Sequence, residues 1–130
     1  MAGSLEKYRD LFEKPTFAHI ATIGPSGAPH VTPVWIDYDG RHVLFNTARG
    51  RLKEKHIARD PRVAFSILDP ENPYRYVEVR GRAAEVTEQG ADAHIDKLAK
   101  KYLGKDRYPF RKPGEVRVIV KIFPEQVSGM

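Results

Sequence analysis

Six short strands closing into a small antiparallel barrel, with helices on its rim, are the architecture this sequence predicts. Three observations carry the prediction. β-prone runs recur at short intervals through the 130 residues, turn chemistry joins most of them, and only two internal segments show helical periodicity. A single domain over residues 1–130 is expected, since the chain is long enough for a core and too short for two.

The elements follow in order. Ser4 is placed to cap a short helix whose apolar face is Leu5, Tyr8, Leu11 and Phe12, and Pro15 ends it. Phe17–Ile23 is strand-like, and the turn Gly24-Pro25-Ser26-Gly27 leads to a second strand, His30–Tyr38. Asp39-Gly40 is a two-residue hairpin signal into His42–Thr47. A helix over Arg51–Arg59 stops before Asp60-Pro61, because the residue preceding proline disfavours helix. Val63–Leu68 and Tyr74–Val86 are strands separated by the turn Asp69-Pro70-Glu71-Asn72-Pro73. The second helix runs from near Glu88 to Leu103, with Ala91, Ile95, Leu98, Ala99 and Tyr102 on one face and Gly104 as its C-cap. Lys105–Gly114 reads as an ordered loop or lid, and Val116–Phe123 is the last strand. Pro33, which cannot donate to a ladder, marks either an edge strand or a strand whose groups meet a ligand.

Composition narrows the partners. Lys and Arg outnumber Asp and Glu by 22 to 17, a net +5 that favours anionic ligands, and the surplus concentrates between Arg49 and Arg62. Cysteine is absent, which excludes disulfides, thiol catalysis and cysteine-ligated zinc. No apolar run is long enough to span a bilayer, since Arg117 and Lys121 interrupt Val116–Phe123, and MAGSLEKYRD has no apolar signal stretch. A cytoplasmic location is expected.

The segment FNTARGRLKEKHIARDPR, Phe45 to Arg62, says most about function. A strand enters a glycine turn and a short basic helix follows, so Arg51 and Lys53 fall at its start. Helix starts carry free N–H groups and the positive end of the dipole, so two further cations there require a partner. A phosphate fits that requirement. Gly50 lets the backbone approach a ligand, and Asn46 and Thr47 supply further donors. The competing reading is a solvated basic face.

The run Pro73–Gly81 places Tyr74, Tyr76, Glu78 and Arg80 on one strand face and Arg75, Val77 and Val79 on the other. Its tyrosines suit stacking on a flat ring or an interface between protomers; an amphipathic strand face explains them equally well. His19, His30, His42, His56 and His94 show no metal spacing, and no nucleophile elbow, P-loop or dinucleotide fingerprint is present. No catalytic side chain and no metal site is assigned. A phosphate grip without a side-chain catalyst points to a cofactor that carries the reaction.

The series HIATIGPSGAPHVTPVWIDYDG, then LFNTARGRLKEKHIARDPRVAFSILDPENPYRYVEVRGRAAEV, then RVIVKIFPEQV, resembles the split-barrel flavin and deazaflavin oxidoreductases over nearly the whole chain. That superfamily includes pyridoxamine 5′-phosphate oxidase, and the resemblance leans toward the branch that uses coenzyme F420. It implies a homodimer of six-stranded FMN-binding split barrels with two cofactor sites at the subunit interface. On the matching motifs, Arg51 and Lys53 would hold the phosphate and Thr47 would end the preceding strand. Thr32, Pro33, Val34 and Trp35 would lie along the tricyclic ring, and Tyr74, Arg75 and Tyr76 would reach the site from the partner. Three departures stand out: His56 replaces a frequent asparagine, Leu52 separates the two cations, and the C-terminal extension that holds pyridoxal phosphate is missing after Val127. Pyridoxamine oxidation is therefore not expected.

The implied activity is hydride transfer from reduced coenzyme F420 to a small unsaturated or quinone-like acceptor. The alternatives are an FMN-dependent reductase or oxidase on the same barrel, and a non-catalytic protein binding F420, FMN or a tetrapyrrole. Nucleic acid is disfavoured, because aromatics and cations do not interleave on one sheet face.

Overall fold

The computed structural model describes residues 2–130, with side chains from Leu5 onward. A 3-10 segment, Ala2–Tyr8, runs directly into helix α1, Arg9–Glu13. Leu5, Tyr8, Leu11 and Phe12 are all buried, which accounts for their spacing. The Ser4 cap lies outside the described side chains.

Seven strands form one mixed-length antiparallel sheet. They are β1 (Ala18–Ile23), β2 (Pro29–Val34), β3 (Asp37–Tyr38), β4 (Val43–Ala48), β5 (Arg62–Leu68), β6 (Tyr76–Thr87) and β7 (Arg117–Gly129), in the spatial order β2-β1-β5-β6-β7-β4-β3. The count exceeds the expected six because His30–Tyr38 is two strands. Between them Ile36 turns inward, fully buried, and its backbone leaves the ladder. Its N–H donates to the Tyr102 hydroxyl at 3.0 Å, and its carbonyl accepts from Lys101 Nζ at 2.8 Å.

That break explains the curvature of the sheet. β2 and β3 sit at opposite edges, yet Val34 and Asp37 are only three residues apart in the chain, which limits their Cα separation to about 11 Å. The sheet must curl until its two edges nearly meet, leaving a seam at Trp35–Ile36. Pro33 belongs to the edge strand β2, where its missing N–H costs no ladder bond on the open side.

Three further boundaries differ from expectation for local reasons. The β3–β4 connection takes four residues, Asp39–His42, because Asp39 Oδ1 accepts from the N–H groups of Arg41 at 2.9 Å and His42 at 2.6 Å. β6 begins at Tyr76, since Tyr74 and Arg75 are held in the preceding turn by Asn72 Oδ1 at 3.1 Å and the Asn72 carbonyl at 2.9 Å. β7 continues past Phe123 to Gly129; register shifts in the β6–β7 ladder absorb Pro124, which stands opposite Gly81.

Helix α2 covers Leu52–Arg59 and α3 covers Ala91–Leu103. α3 starts later than its apolar pattern suggests because Gly90 adopts φ +76°, outside the helical region. Gly104, at φ +72°, caps its other end as expected. The barrel interior is filled by Ile20, Phe45, Phe65, Ile67, Val79 and Ile122, and Phe12 plugs one end against Tyr38 and Phe65, with ring centroids 5.3 and 6.1 Å away. Among the described residues, no helix is long and apolar enough to cross a membrane.

Candidate functional site

The cleft forms where the seam of the barrel meets the start of α2. Strand β4 brings Asn46 and Thr47 to this end, and the turn after it passes through Gly50 at φ +87°. Glu54 Oε1 accepts the Gly50 N–H at 2.9 Å, closing the turn and supplying a negative charge to the first turn of α2. Arg51 is the N-cap, in extended conformation, and Lys53 is the second residue of the helix. Pro33, Val34 and Trp35 from the seam, Ile95 and Leu98 from α3, and Arg117 from β7 complete a cleft of about 240 Å³.

Seven residues singled out from the sequence line this one cleft: Pro33, Val34, Trp35, Asn46, Thr47, Arg51 and Lys53. Thr32 does not line it directly; its hydroxyl accepts from Lys53 Nζ at 2.6 Å. Tyr74, Arg75 and Tyr76 stand elsewhere. Tyr74 is exposed in a turn, and Arg75 bridges Asp10 at 2.8 Å and Asp69 at 3.0 Å, tying the N-terminal segment to the β5–β6 turn. Within this chain Arg75 is a clasp. Its guanidinium is held well above its ordinary pKa by Asp10 and then Asp69.

The charges at the mouth are unevenly compensated. Arg51 Nη2 meets Glu115 Oε1 at 3.1 Å, so the chain itself supplies part of the partner that the helix start requires. Among the described residues, Lys53 Nζ meets only the neutral Thr32 hydroxyl. Burial pushes its pKa down, and the neighbouring charge of Arg51 lowers it further. An anion bound between the two cations would relieve both penalties.

An aromatic wall faces them. Trp35 stacks on Tyr102 with centroids 5.2 Å apart and planes 10° from parallel, and Tyr108 meets Trp35 edge-on at 5.9 Å. Tyr102 is itself immobilised: its hydroxyl donates to the Thr16 carbonyl at 2.7 Å, and burial raises its pKa to about 12. The 105–114 loop carries Tyr108 and Phe110 into the cleft. It is fastened to α3 by Arg111 with Asp92 at 2.8 Å and Asp96 at 3.0 Å, and by the Tyr108 N–H with Asp96 at 2.8 Å.

Behind the cleft runs a buried polar chain that sequence reasoning missed. Arg117 Nε donates to Asn46 Oδ1 at 2.9 Å; Asn46 Nδ2 donates to the Ala91 carbonyl at 2.9 Å and faces His94 Nδ1 at 3.1 Å. Swapping the amide would set N–H against N–H and oxygen against oxygen, so its orientation is fixed. His94 Nδ1 therefore accepts, and its protonated Nε2 donates to Asp37 Oδ2 at 3.1 Å. A signal in the sequence was Arg117, one of the two cations that interrupt the apolar run Val116–Phe123. His56, the other buried histidine, bonds Thr22 Oγ1 at 2.8 Å.

Burial alone would raise the Asp37 carboxyl, but the hydrogen bond from His94 and the charge of Lys97 bring it down to about 2. A carboxyl with a depressed pKa stabilises the fold fully above the ordinary carboxylate range, about 4, and loses that contribution as pH falls toward its folded value. Asp37→Asn is therefore expected to flatten the pH dependence of the urea midpoint between about pH 4 and 2. An unchanged slope would assign acid sensitivity to other carboxylates.

A curled antiparallel sheet, with cations and an aromatic wall sharing one cleft at its seam, defines the split-barrel fold. The chain belongs to the pyridoxamine 5′-phosphate oxidase family, whose model matches residues 4–130. A solved F420 reductase is 35% identical, superposes with a TM-score of 0.81, and aligns over 92% of this chain and 94% of its own. A conserved hypothetical protein from Mycobacterium tuberculosis is 25% identical, with TM-score 0.74 over 95% and 82% of the two chains. General stress protein 26 from Bacillus anthracis shares the fold at 19% identity, TM-score 0.69, over 96% and 92%. No protein of curated function matches.

Proposed function

We propose that this chain is an oxidoreductase that binds a phosphate-bearing tricyclic cofactor, coenzyme F420, and reduces a small unsaturated or quinone-like acceptor. One observation carries the reading. A desolvated lysine and an arginine at a helix start open onto the same cleft as a rigid aromatic wall, so a phosphate and a flat ring can be held by one molecule. The likeness to a solved F420 reductase supports F420 over FMN. The surplus of cations suits the carboxylate-rich tail of that coenzyme.

The residues divide the work by chemistry. Arg51 and Lys53 would bind the phosphate, with Thr47 beside them; Pro33, Val34 and Trp35 would lie against the ring. When bound and reduced, the deazaflavin supplies the hydride. The protein would orient it, and the loop residues Tyr108 and Phe110, which line the cleft, would help to exclude water. No described side chain of the cleft is assigned a proton-transfer role.

The proposal includes a cytoplasmic homodimer. A second groove, about 440 Å³, is lined by the small or apolar residues Ala21, Ile23, Ala64 and Gly81, with Arg62, Arg80 and Glu125 at its rim. Small side chains flanked by both charge signs suit a self-complementary contact. Tyr74 and Tyr76, exposed on this chain, are then free to meet the partner's cleft. Sedimentation as a 14.8 kDa monomer with cofactor bound would remove this part of the proposal.

Parallel fluorescence titrations with coenzyme F420 and FMN test the whole. F420 is expected to bind at least about tenfold more tightly, a difference near 1.4 kcal/mol. Tighter FMN binding would transfer the assignment to a flavin enzyme on the same barrel. Tight F420 binding without turnover of quinone, nitro or enone acceptors would favour a carrier.

A further inference from the structure

Arg117 is the one cation of the cleft that the assigned roles do not use. It is 4% exposed, and among the described residues its guanidinium makes a single hydrogen bond, from Nε to Asn46. Glu115 Oε2 lies 3.3 Å from Nη1, close enough for attraction but misaligned, so both atoms are buried without a hydrogen-bond partner. Leaving donors of a buried charge unsatisfied is costly, and native folds seldom do so without a purpose.

The rest of the setting points to a ligand. Arg117 lines the cleft, and its guanidinium carbon lies 5.1 Å from the centre of the Tyr108 ring, within the aromatic wall. Its Nε is held by Asn46, whose amide is locked by Ala91 and His94, so the planar fork is set before any ligand arrives. A fixed, desolvated fork beside aromatic rings matches the carbonyl oxygens at the edge of a flat heterocycle. Phosphate binding is assigned to Arg51 and Lys53 at the helix start, and Arg51 reaches the other oxygen of the same Glu115 carboxylate that stands beside Arg117.

We propose that Arg117 is a ring-recognition residue, its unused guanidinium donors binding a carbonyl oxygen of the tricyclic ligand. This inference rests on the proposed function, and the test separates the two. FMN and riboflavin, and coenzyme F420 and its phosphate-free deazariboflavin parent, are titrated against the full chain and against Arg117→Lys, with thermal melts of each protein. The variant keeps the charge and removes the fork. It is expected to weaken the phosphate-bearing and phosphate-free members of a pair by the same factor, about tenfold or more. On the unsubstituted protein, the guanidinium N–H signals of Arg117 in ¹⁵N spectra should shift with the phosphate-free ligand as much as with its phosphate ester, a readout that survives if the variant does not fold.

Unchanged affinity for both members, or an unmoved guanidinium signal, overturns the inference while leaving the cofactor assignment intact. Weakening of the phosphate ester alone also overturns it, making Arg117 a third phosphate cation. Failure of every ring compound to bind the unsubstituted protein removes this inference together with the function on which it rests.

Discussion

The Arg51→Ala/Lys53→Ala double variant is expected to lose at least a hundredfold in affinity for a phosphate-bearing ring cofactor. Each charged hydrogen bond contributes about 1.5–3 kcal/mol, which for two residues gives about 3–6 kcal/mol. The lower end is the better expectation. Arg51 already spends part of its charge on Glu115, and Lys53 must leave Thr32 to engage a new acceptor. Binding of a phosphate-free parent ring should change little, and that contrast is the diagnostic measurement. The fold should survive with a modest loss of stability: removing Lys53 relieves its desolvation, but truncating Arg51 takes the ion-pair partner from the buried Glu115 carboxylate. Equal affinity of the double variant and the parent protein for the phosphate ester would remove the phosphate from this end of the cleft.

Gly81→Ala is expected to be strongly destabilising. A Cβ at Gly81 would lie 2.1 Å from the Phe123 carbonyl oxygen and 3.3 Å from Pro124 Cα, both backbone atoms that no rotamer change can move. The strands β6 and β7 would have to separate at the register shift where Pro124 interrupts the pairing. Overpacking of this kind costs about 3 kcal/mol or more when the obstacle is backbone. Gly40→Ala is the matched control: nothing lies within 4 Å of its added Cβ, and the cost is confined to φ +90°, about 1–2 kcal/mol. Urea unfolding of the two variants measures the difference. Equal midpoints would mean that the β6–β7 contact at Gly81 is looser than its geometry.

Most of the architecture could be read from periodicity. The buried face of α3 and the alternation in β5 and β6 follow directly from apolar spacing, and Gly104 ends its helix as written. What escaped were events decided by contacts far away in sequence. Nothing around Ile36 announces that its backbone will be claimed by Tyr102 and Lys101, so the split of one strand into two was invisible. Asp39 looked like half of a two-residue turn, because its side chain's grip on two later N–H groups is a matter of geometry rather than composition.

The cleft divided in the same manner. Its cations, and the β4 donors Asn46 and Thr47, were legible because they sit next to a glycine turn at a helix start, and its β2 residues were legible through resemblance. Arg117, Tyr108 and Phe110 were not, since they come from the far end of the chain and a loop with no periodicity. Arg117 was noticed only as a flaw in a hydrophobic run. A charged residue in such a run is better taken as a question about what it faces. The local structure of Tyr74 and Arg75 differed for the opposite reason: a strand pattern was extended two residues too far into a turn.

The place of β7 between β6 and β4 has a consequence for biosynthesis. The ribbon made by residues 37–48 finds its second neighbour only in residues 117–129. While the ribosome adds residues 49–116, the nascent polypeptide carries a bare strand rim, the kind of surface through which newborn chains adhere to one another. Slowed translation over that interval should lower the yield of recoverable protein more than an equal delay in the first forty codons.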